Sequence, residues 1–140
     1  VDENGNGEED DSDYYGFATD LRSNINALLW AFGGKIMNRN AEGNLEFVYY
    51  NEHLVEIFDK AIQLVHNTPG VYADSNHGSG MALFNKTKTL YSMGTLRSAT
   101  GGISEFENEY GILPPPKYDE NQEVYMTQYP ANNNLFALFE

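Results

Sequence analysis

Near the start of the chain, acids, asparagines and glycines alternate at a spacing that suits a cation. Counting Asp2 as position one, Asn4 stands at three, Asn6 at five, Gly7 at six, Glu8 at seven and Asp10 at nine, which spells D-x-N-x-N-G-x-x-D. Calcium takes about six to eight oxygen ligands from a loop that bends sharply around it. Alternate side chains then point inward, the glycine permits the bend, and position seven gives only its carbonyl, as in the first nine positions of an EF-hand loop. Position twelve is Asp13, where an EF-hand uses a bidentate glutamate, and aspartate is one methylene shorter. Asp11, at position ten, is the alternative closing ligand. The aromatic residues that follow do not read as an exiting EF helix. The competing reading is a solvated acidic linker whose Asn-Gly pairs favour turns. No activated water or substrate pocket is implied, so a cation here would be structural.

Elsewhere the reactive residue types lack the company they need. His53, His66 and His77 lie 13 and 11 residues apart, and His53-Leu-Val-Glu56 lacks the second histidine of a zincin helix. Gly78-Ser-Gly80 has no G-K-[ST] and no strand directly before it, which argues against a phosphate loop. Ser79 and Ser104 have no nucleophile-elbow context. Glu105/Glu107 and Asp119/Glu120 pair carboxylates as glycosidases do, but a chain this acidic produces such pairs by chance. The expectation is a protein that is not an enzyme. Trp30 stands out for another reason. At about 100° per residue it points about 180° from the centre of the face made by Leu21, Ile25, Leu28, Leu29 and Phe32. It either meets a second element or offers a flat ring to a ligand such as a sugar.

The elements that must position these residues follow from local signals. Residues 1 to 13 show no apolar periodicity and read as loop. Tyr14, Tyr15, Phe17 and Ala18 read as a short strand, and Thr19 or Asp20 can cap the helix after it. Leu21, Ile25, Leu28, Leu29 and Phe32 form one helical face, and Gly33-Gly34 ends it. Lys35 to Met37 and Leu45 to Tyr50 predict a hairpin around Asn38, Asn40, Gly43 and Asn44. Asn51 caps a second helix, with Leu54, Phe58, Ala61, Ile62 and Val65 as its stripe and Val55, Ile57 and Leu64 widening it; so apolar a helix should pack on a sheet. Pro69-Gly70 stops it. Val71 to Gly80 reads as loop, Met81 to Phe84 as a helical turn and Thr89 to Met93 as a strand. Thr95 to Glu109 is open between helix and loop, because Gly101-Gly102 weakens any helix there. Short strands are expected at Tyr110 to Leu113, Tyr125 to Tyr129 and Leu135 to Phe139, with Pro114 to Pro116 extended. The sum is an α/β fold, a mixed sheet flanked by helices.

Composition bounds the function. At 140 residues the chain has room for one core, and 41% hydrophobic with 14% aromatic residues is too apolar for a disordered chain. Net charge is −13, which argues against nucleic acid or anionic lipid as partner. Seven of the 21 acids lie in residues 1 to 13, where no base occurs. Cysteine is absent, which removes disulfides, thiolate zinc sites and cysteine nucleophiles. No apolar run approaches a bilayer span, and no signal peptide or initiator Met is visible. A piece cut from a longer chain is therefore one expectation.

The most distinctive stretch is Tyr110-Gly-Ile-Leu-Pro114-Pro-Pro116-Lys-Tyr118-Asp-Glu120-Asn-Gln122-Glu-Val-Tyr125-Met-Thr127. It resembles the G-I-L-P-x-P-K-Y-D-E-x-Q-x-x-Y-x-T signature of extracellular solute-binding proteins of carbohydrate-type ABC importers. Asp2 to Asp11 with Tyr15-Gly-Phe17, then Ala31-Phe-Gly-Gly34 and Gly80-Met-Ala-Leu-Phe84, resemble further motifs of that family in family order. Met81 stands where the family usually has Lys. The resemblance implies one lobe of a two-lobed, periplasmic-binding-protein type II fold that closes on a ligand. Residues 1–13 would be its calcium loop and 14–140 most of its second lobe, in a longer chain tethered outside the cell by a lipid anchor. It implies Asp2, Asn4, Asn6, Glu8 (through its carbonyl), Asp10 and Asp11 as calcium ligands, a sugar or oligosaccharide as ligand and an ABC permease as partner. Trp30 and Tyr118 are the candidate ligand contacts, while Pro114 to Tyr118 has an architectural role. The alternative is a stand-alone, calcium-stabilised carbohydrate-binding or adhesion module.

Overall fold

The strand-forming run Tyr15–Asp20 (β1) leads without a loop into helix α1, Leu21–Ala31. The structure, a computed structural model, describes residues 1–98, 101, 103 and 106–127, with Arg22 and Ser23 given by their backbone alone. Along α1, Leu28 is buried, as is Phe32 just beyond its last turn. Leu21, Ile25 and Leu29 pack beside them, the face that the periodicity predicts. The two glycines end the helix as expected. Gly33 takes φ +84° and donates to the Trp30 carbonyl (3.0 Å), and Gly34 donates to the Leu29 carbonyl (2.9 Å). These paired bonds are a Schellman cap, which needs the left-handed residue that glycine supplies.

The predicted hairpin forms from β2, Met37–Arg39, and β3, Leu45–Phe47. Met37 opposes Phe47 and Arg39 opposes Leu45, antiparallel, so these four share one face. The Asn40 side chain accepts from the Asn44 N–H (2.9 Å) and closes the turn. Helix α2, Glu52–Asn67, begins at Asn51, whose Oδ1 accepts the Leu54 N–H at 2.9 Å. Its buried face is Leu54, Ile57, Ala61 and Val65. Phe58 and Ile62 are 39% and 42% exposed, which corrects the broader stripe expected for this helix.

Val71 to Gly80 is not all loop. Val71–Asp74 is strand β4, and helix α3 runs over Ser79–Asn85, ahead of β5 at Thr89–Ser92. β4 pairs in parallel with β1 (Phe17 beside Val71, Asp20 beside Asp74), and β5 pairs in parallel with the other side of β1 (Tyr15 beside Thr89). The order is β4-β1-β5, so the chain steps outward from β1 and then returns across it. Strand alternation separates the layers. Ala73 faces the core of α1 and α2 (Leu28, Phe32, Ile57, Ala61, Val65), while Ala18 and Tyr72 face Leu83 of α3. α3 lies so close to β1 that a Cβ on Gly80 would stand 2.7 Å from the Ala18 carbonyl oxygen. The result is a small α/β domain in which a parallel sheet and an antiparallel hairpin are accompanied by helices.

Tyr110 to Leu113 forms no strand, and among the described residues no strand pairs with it. Tyr125 to Thr127 is likewise irregular, and the rest of that expected strand, with Leu135 to Phe139, lies outside the described residues.

Candidate functional site

β1 ends where the strand order reverses, and polar groups gather there. Thr19, Asp20 and Asn24 are all buried. The Asn24 amide donates to the Met93 carbonyl (2.9 Å) and the Thr19 hydroxyl (3.1 Å). The Asp20 carboxylate accepts the Gly78 N–H at 3.1 Å. This cluster joins the carboxyl end of β1, the first turn of α1, the residue after β5 and the entrance to α3. In open parallel sheets the crevice beyond the strand ends, at the reversal of strand order, is where ligands bind. Sequence reasoning treated Asp20 only as a cap. The signal available was a Thr-Asp pair placed between a buried strand and an amphipathic helix.

The acidic loop is a dense hydrogen-bonded turn. Asp2 accepts from Gly5 N (2.6 Å) through Oδ1 and from Gly7 N (2.8 Å) through Oδ2. Asn4 Oδ1 accepts from Asn6 N (2.9 Å), and Asn6 Oδ1 from Glu8 N (2.7 Å). Both amide nitrogens donate to Asp10 Oδ2, at 3.2 and 3.0 Å. Bonds from the Ser12 side chain and backbone, then from Asn6, hold the Asp10 carboxyl down at about 2, from 3.8. Asp2, Asn4, Asn6, Glu8 and Asp10 therefore belong to one turn; each Asp2 carboxylate oxygen accepts one bond and keeps a lone pair for a cation, whereas each Asp10 oxygen accepts two. Asp11 does not join them; it pairs with Lys86 at 2.9 Å. Asp13 is buried and accepts from Glu3 N (2.9 Å) and Asp10 N (3.3 Å), acting as the clasp of the loop. Among the described residues no group of three or more His, Cys, Asp or Glu is arranged to hold a metal ion.

The loop is fastened to the domain at several points. Lys88 bonds Glu3 and the Ser12 carbonyl (2.8 Å) and lies 4.2 Å from the Tyr14 ring centre. The Tyr15 hydroxyl donates to the Asp10 carbonyl (2.7 Å), and burial, then the Asp13 charge, pushes that phenol up to about 12. A groove of about 510 Å³ separates the loop from α3, bordered by Asp10, Asp11, Tyr72, Asp74, Ser79 and Lys86. The Asn76 amide, first among several bonds, lowers the Asp74 pKa.

Trp30 is half-buried on α1. Tyr118 is part of the packing: its ring lies 6.0 Å from Phe32 and 5.7 Å from His53, with Lys60 Nζ 4.1 Å from its centre. Lys60 also donates to the Tyr118 carbonyl. Gln122 accepts from Tyr118 N (2.8 Å) and donates to the Ala31 carbonyl (2.9 Å), so Lys117 to Gln122 straps the ends of α1 and α2. Asp119 caps this turn, accepting from Asn121 and Gln122 backbone N–H groups. His53 lies 3.7 Å from Glu56, on the exposed side of α2. Ser104 and Glu105 lie outside the described residues.

Comparison with protein-family models, with curated proteins and with solved structures finds no match in any of the three.

Proposed function

We propose that this chain is one lobe of a two-lobed extracellular solute-binding protein, which captures a carbohydrate and delivers it to an ABC permease. The observation that carries the reading is the β4-β1-β5 order with its buried Thr19, Asp20 and Asn24 cluster at the carboxyl edge. A companion lobe closing over that edge would place a polyol against polar groups already held in position, and hydroxyl-rich ligands reward such preorganisation. The sequence motifs from Tyr15-Gly-Phe17 to Thr127 support the same reading. Ligand would bind the open form and stabilise the closed one through the contacts that only closure completes. The acidic loop would hold a structural calcium ion, with Asp2, Asn4, Asn6, Glu8 and Asp10 as its donors.

A single lobe offers only its own side of the grip. Calorimetric titration of this chain with a panel of oligosaccharides should therefore give weak or undetectable binding. Nanomolar to micromolar affinity for the isolated chain would overturn the reading in favour of a stand-alone carbohydrate-binding module. In the two-lobed protein, Asp20→Asn should weaken sugar binding, and unchanged affinity would remove the carboxyl edge from the site.

A further inference from the structure

We propose that Asn4 and Asn6 are sites of spontaneous deamidation and that the Asp2 carboxylate holds both in check. The chain contains two Asn-Gly junctions, Asn4-Gly5 and Asn6-Gly7, and both lie in the exposed acidic loop. Glycine is the follower that least obstructs the reaction, because it has no Cβ to hinder approach to the preceding side chain. The backbone nitrogen of the glycine loses its proton and bonds to the asparagine Cγ. The Cγ–Nδ2 bond breaks and ammonia leaves, which gives a five-membered imide. Water then opens the imide at either carbonyl, to aspartate or isoaspartate. Water is consumed, ammonia is released, and nothing is oxidised or reduced.

The loop arranges the partners of this reaction unequally. Each asparagine Oδ1 accepts a backbone N–H two residues on, from Asn6 at 2.9 Å and from Glu8 at 2.7 Å, which polarises the carbonyl to be attacked. The two attacking nitrogens, those of Gly5 and Gly7, are both bound to one carboxylate, Asp2, at 2.6 and 2.8 Å. A carboxylate on an N–H keeps the proton in place and opposes the negative charge that the nitrogen must develop. Asp2 is thus the restraint, and the rest of the loop is poised for reaction.

The product would undo the loop. Asp10 Oδ2 accepts from both asparagine amide nitrogens. Each deamidation replaces one of those donors with an anionic oxygen, so an attraction becomes a like-charge repulsion at hydrogen-bond distance.

The test is to incubate the full chain and its Asp2→Ala and Asp2→Asn variants at mildly alkaline pH without added metal, beside a free peptide of residues 1–14. Peptide mapping by mass spectrometry then scores aspartate and isoaspartate at each junction, a readout independent of calcium or sugar. The wild-type chain should react more slowly than the peptide, and Asp2→Ala should accelerate both junctions about tenfold, the scale of one lost charge-assisted hydrogen bond. Asp2→Asn keeps a single acceptor oxygen, so the two junctions should separate in rate. Equal rates for wild-type chain and peptide, no acceleration in Asp2→Ala, or equal acceleration of both junctions in Asp2→Asn would each overturn the proposal.

Discussion

Gln122 donates from Nε2 to the main-chain carbonyl of Ala31, 2.9 Å away and 91 residues earlier in the chain. Ala31 closes α1, and the last-turn carbonyls of a helix have no partner inside it. The Schellman bonds use the carbonyls of Leu29 and Trp30, and Gln122 reaches the next one. Gln122→Ala should cost about 1 kcal/mol. Thermal unfolding should show the midpoint fall by roughly 3 °C. An unchanged midpoint would mean that water serves this carbonyl equally well.

Ile57 and Ile62 sit on the same helix with opposite fates, fully buried and 42% exposed. Ile57→Ala opens a cavity between α1 and α2 and should cost about 3 kcal/mol. Ile62→Ala should cost less than about 1 kcal/mol. Denaturant titration of both variants checks the contrast, and comparable losses would contradict the packing of α2.

That contrast also shows how far the sequence could be read. The α1 face, the Gly33-Gly34 stop and the Asn51 cap were legible because each is decided within one or two turns of chain. Whether Phe58 or Ile57 is buried is decided by where α1 and Tyr118 lie, so the apolar stripe alone read too wide. β4 was missed for a related reason. Val71-Tyr-Ala-Asp74 is four residues between Pro69-Gly70 and a polar turn, and its strand state comes from pairing with β1, more than fifty residues earlier. Tyr110 to Leu113 has better strand residues but, among the described residues, no such pairing. At the site, the spacing from Asp2 to Asp10 was visible as a turn, whereas the diversion of Asp11 to Lys86 depends on the distant α3–β5 connection.

The loop predicts a loss of stability at both ends of the pH scale. Asp10 titrates at about 2 in the folded chain against 3.8 ordinarily, so its contribution is complete above 3.8 and is lost as pH falls towards 2. Tyr15 titrates at about 12 against 10.0, so the neutral phenol supports the fold below 10.0 and that support declines as pH rises through 12. Stability followed by denaturant melts should fall in both windows. Tyr15→Phe should flatten the alkaline limb, and a persistent limb would assign it to other tyrosines.

Calcium should raise the melting temperature relative to chelator. With free calcium at about 100 times Kd, stabilisation would reach about 2.7 kcal/mol. Asp2→Ala, which removes the carboxylate at position one, should abolish the difference. Equal melting curves for wild-type chain in calcium and in chelator would leave the loop as a hydrogen-bonded clasp alone.

Among the described residues, β4 and β5 each pair on one side only, and Leu90 and Tyr91 of β5 are 76% and 58% exposed. Such an unprotected border is a template on which another copy can continue the sheet. The charge of −13 counters this by keeping copies apart, but only while it acts over distance. Added salt shortens its reach, and acid near the isoelectric point of 4.4 removes it. Storage in dilute salt at neutral pH should keep the protein monodisperse, and precipitation should set in first where the repulsion fails rather than where the fold does.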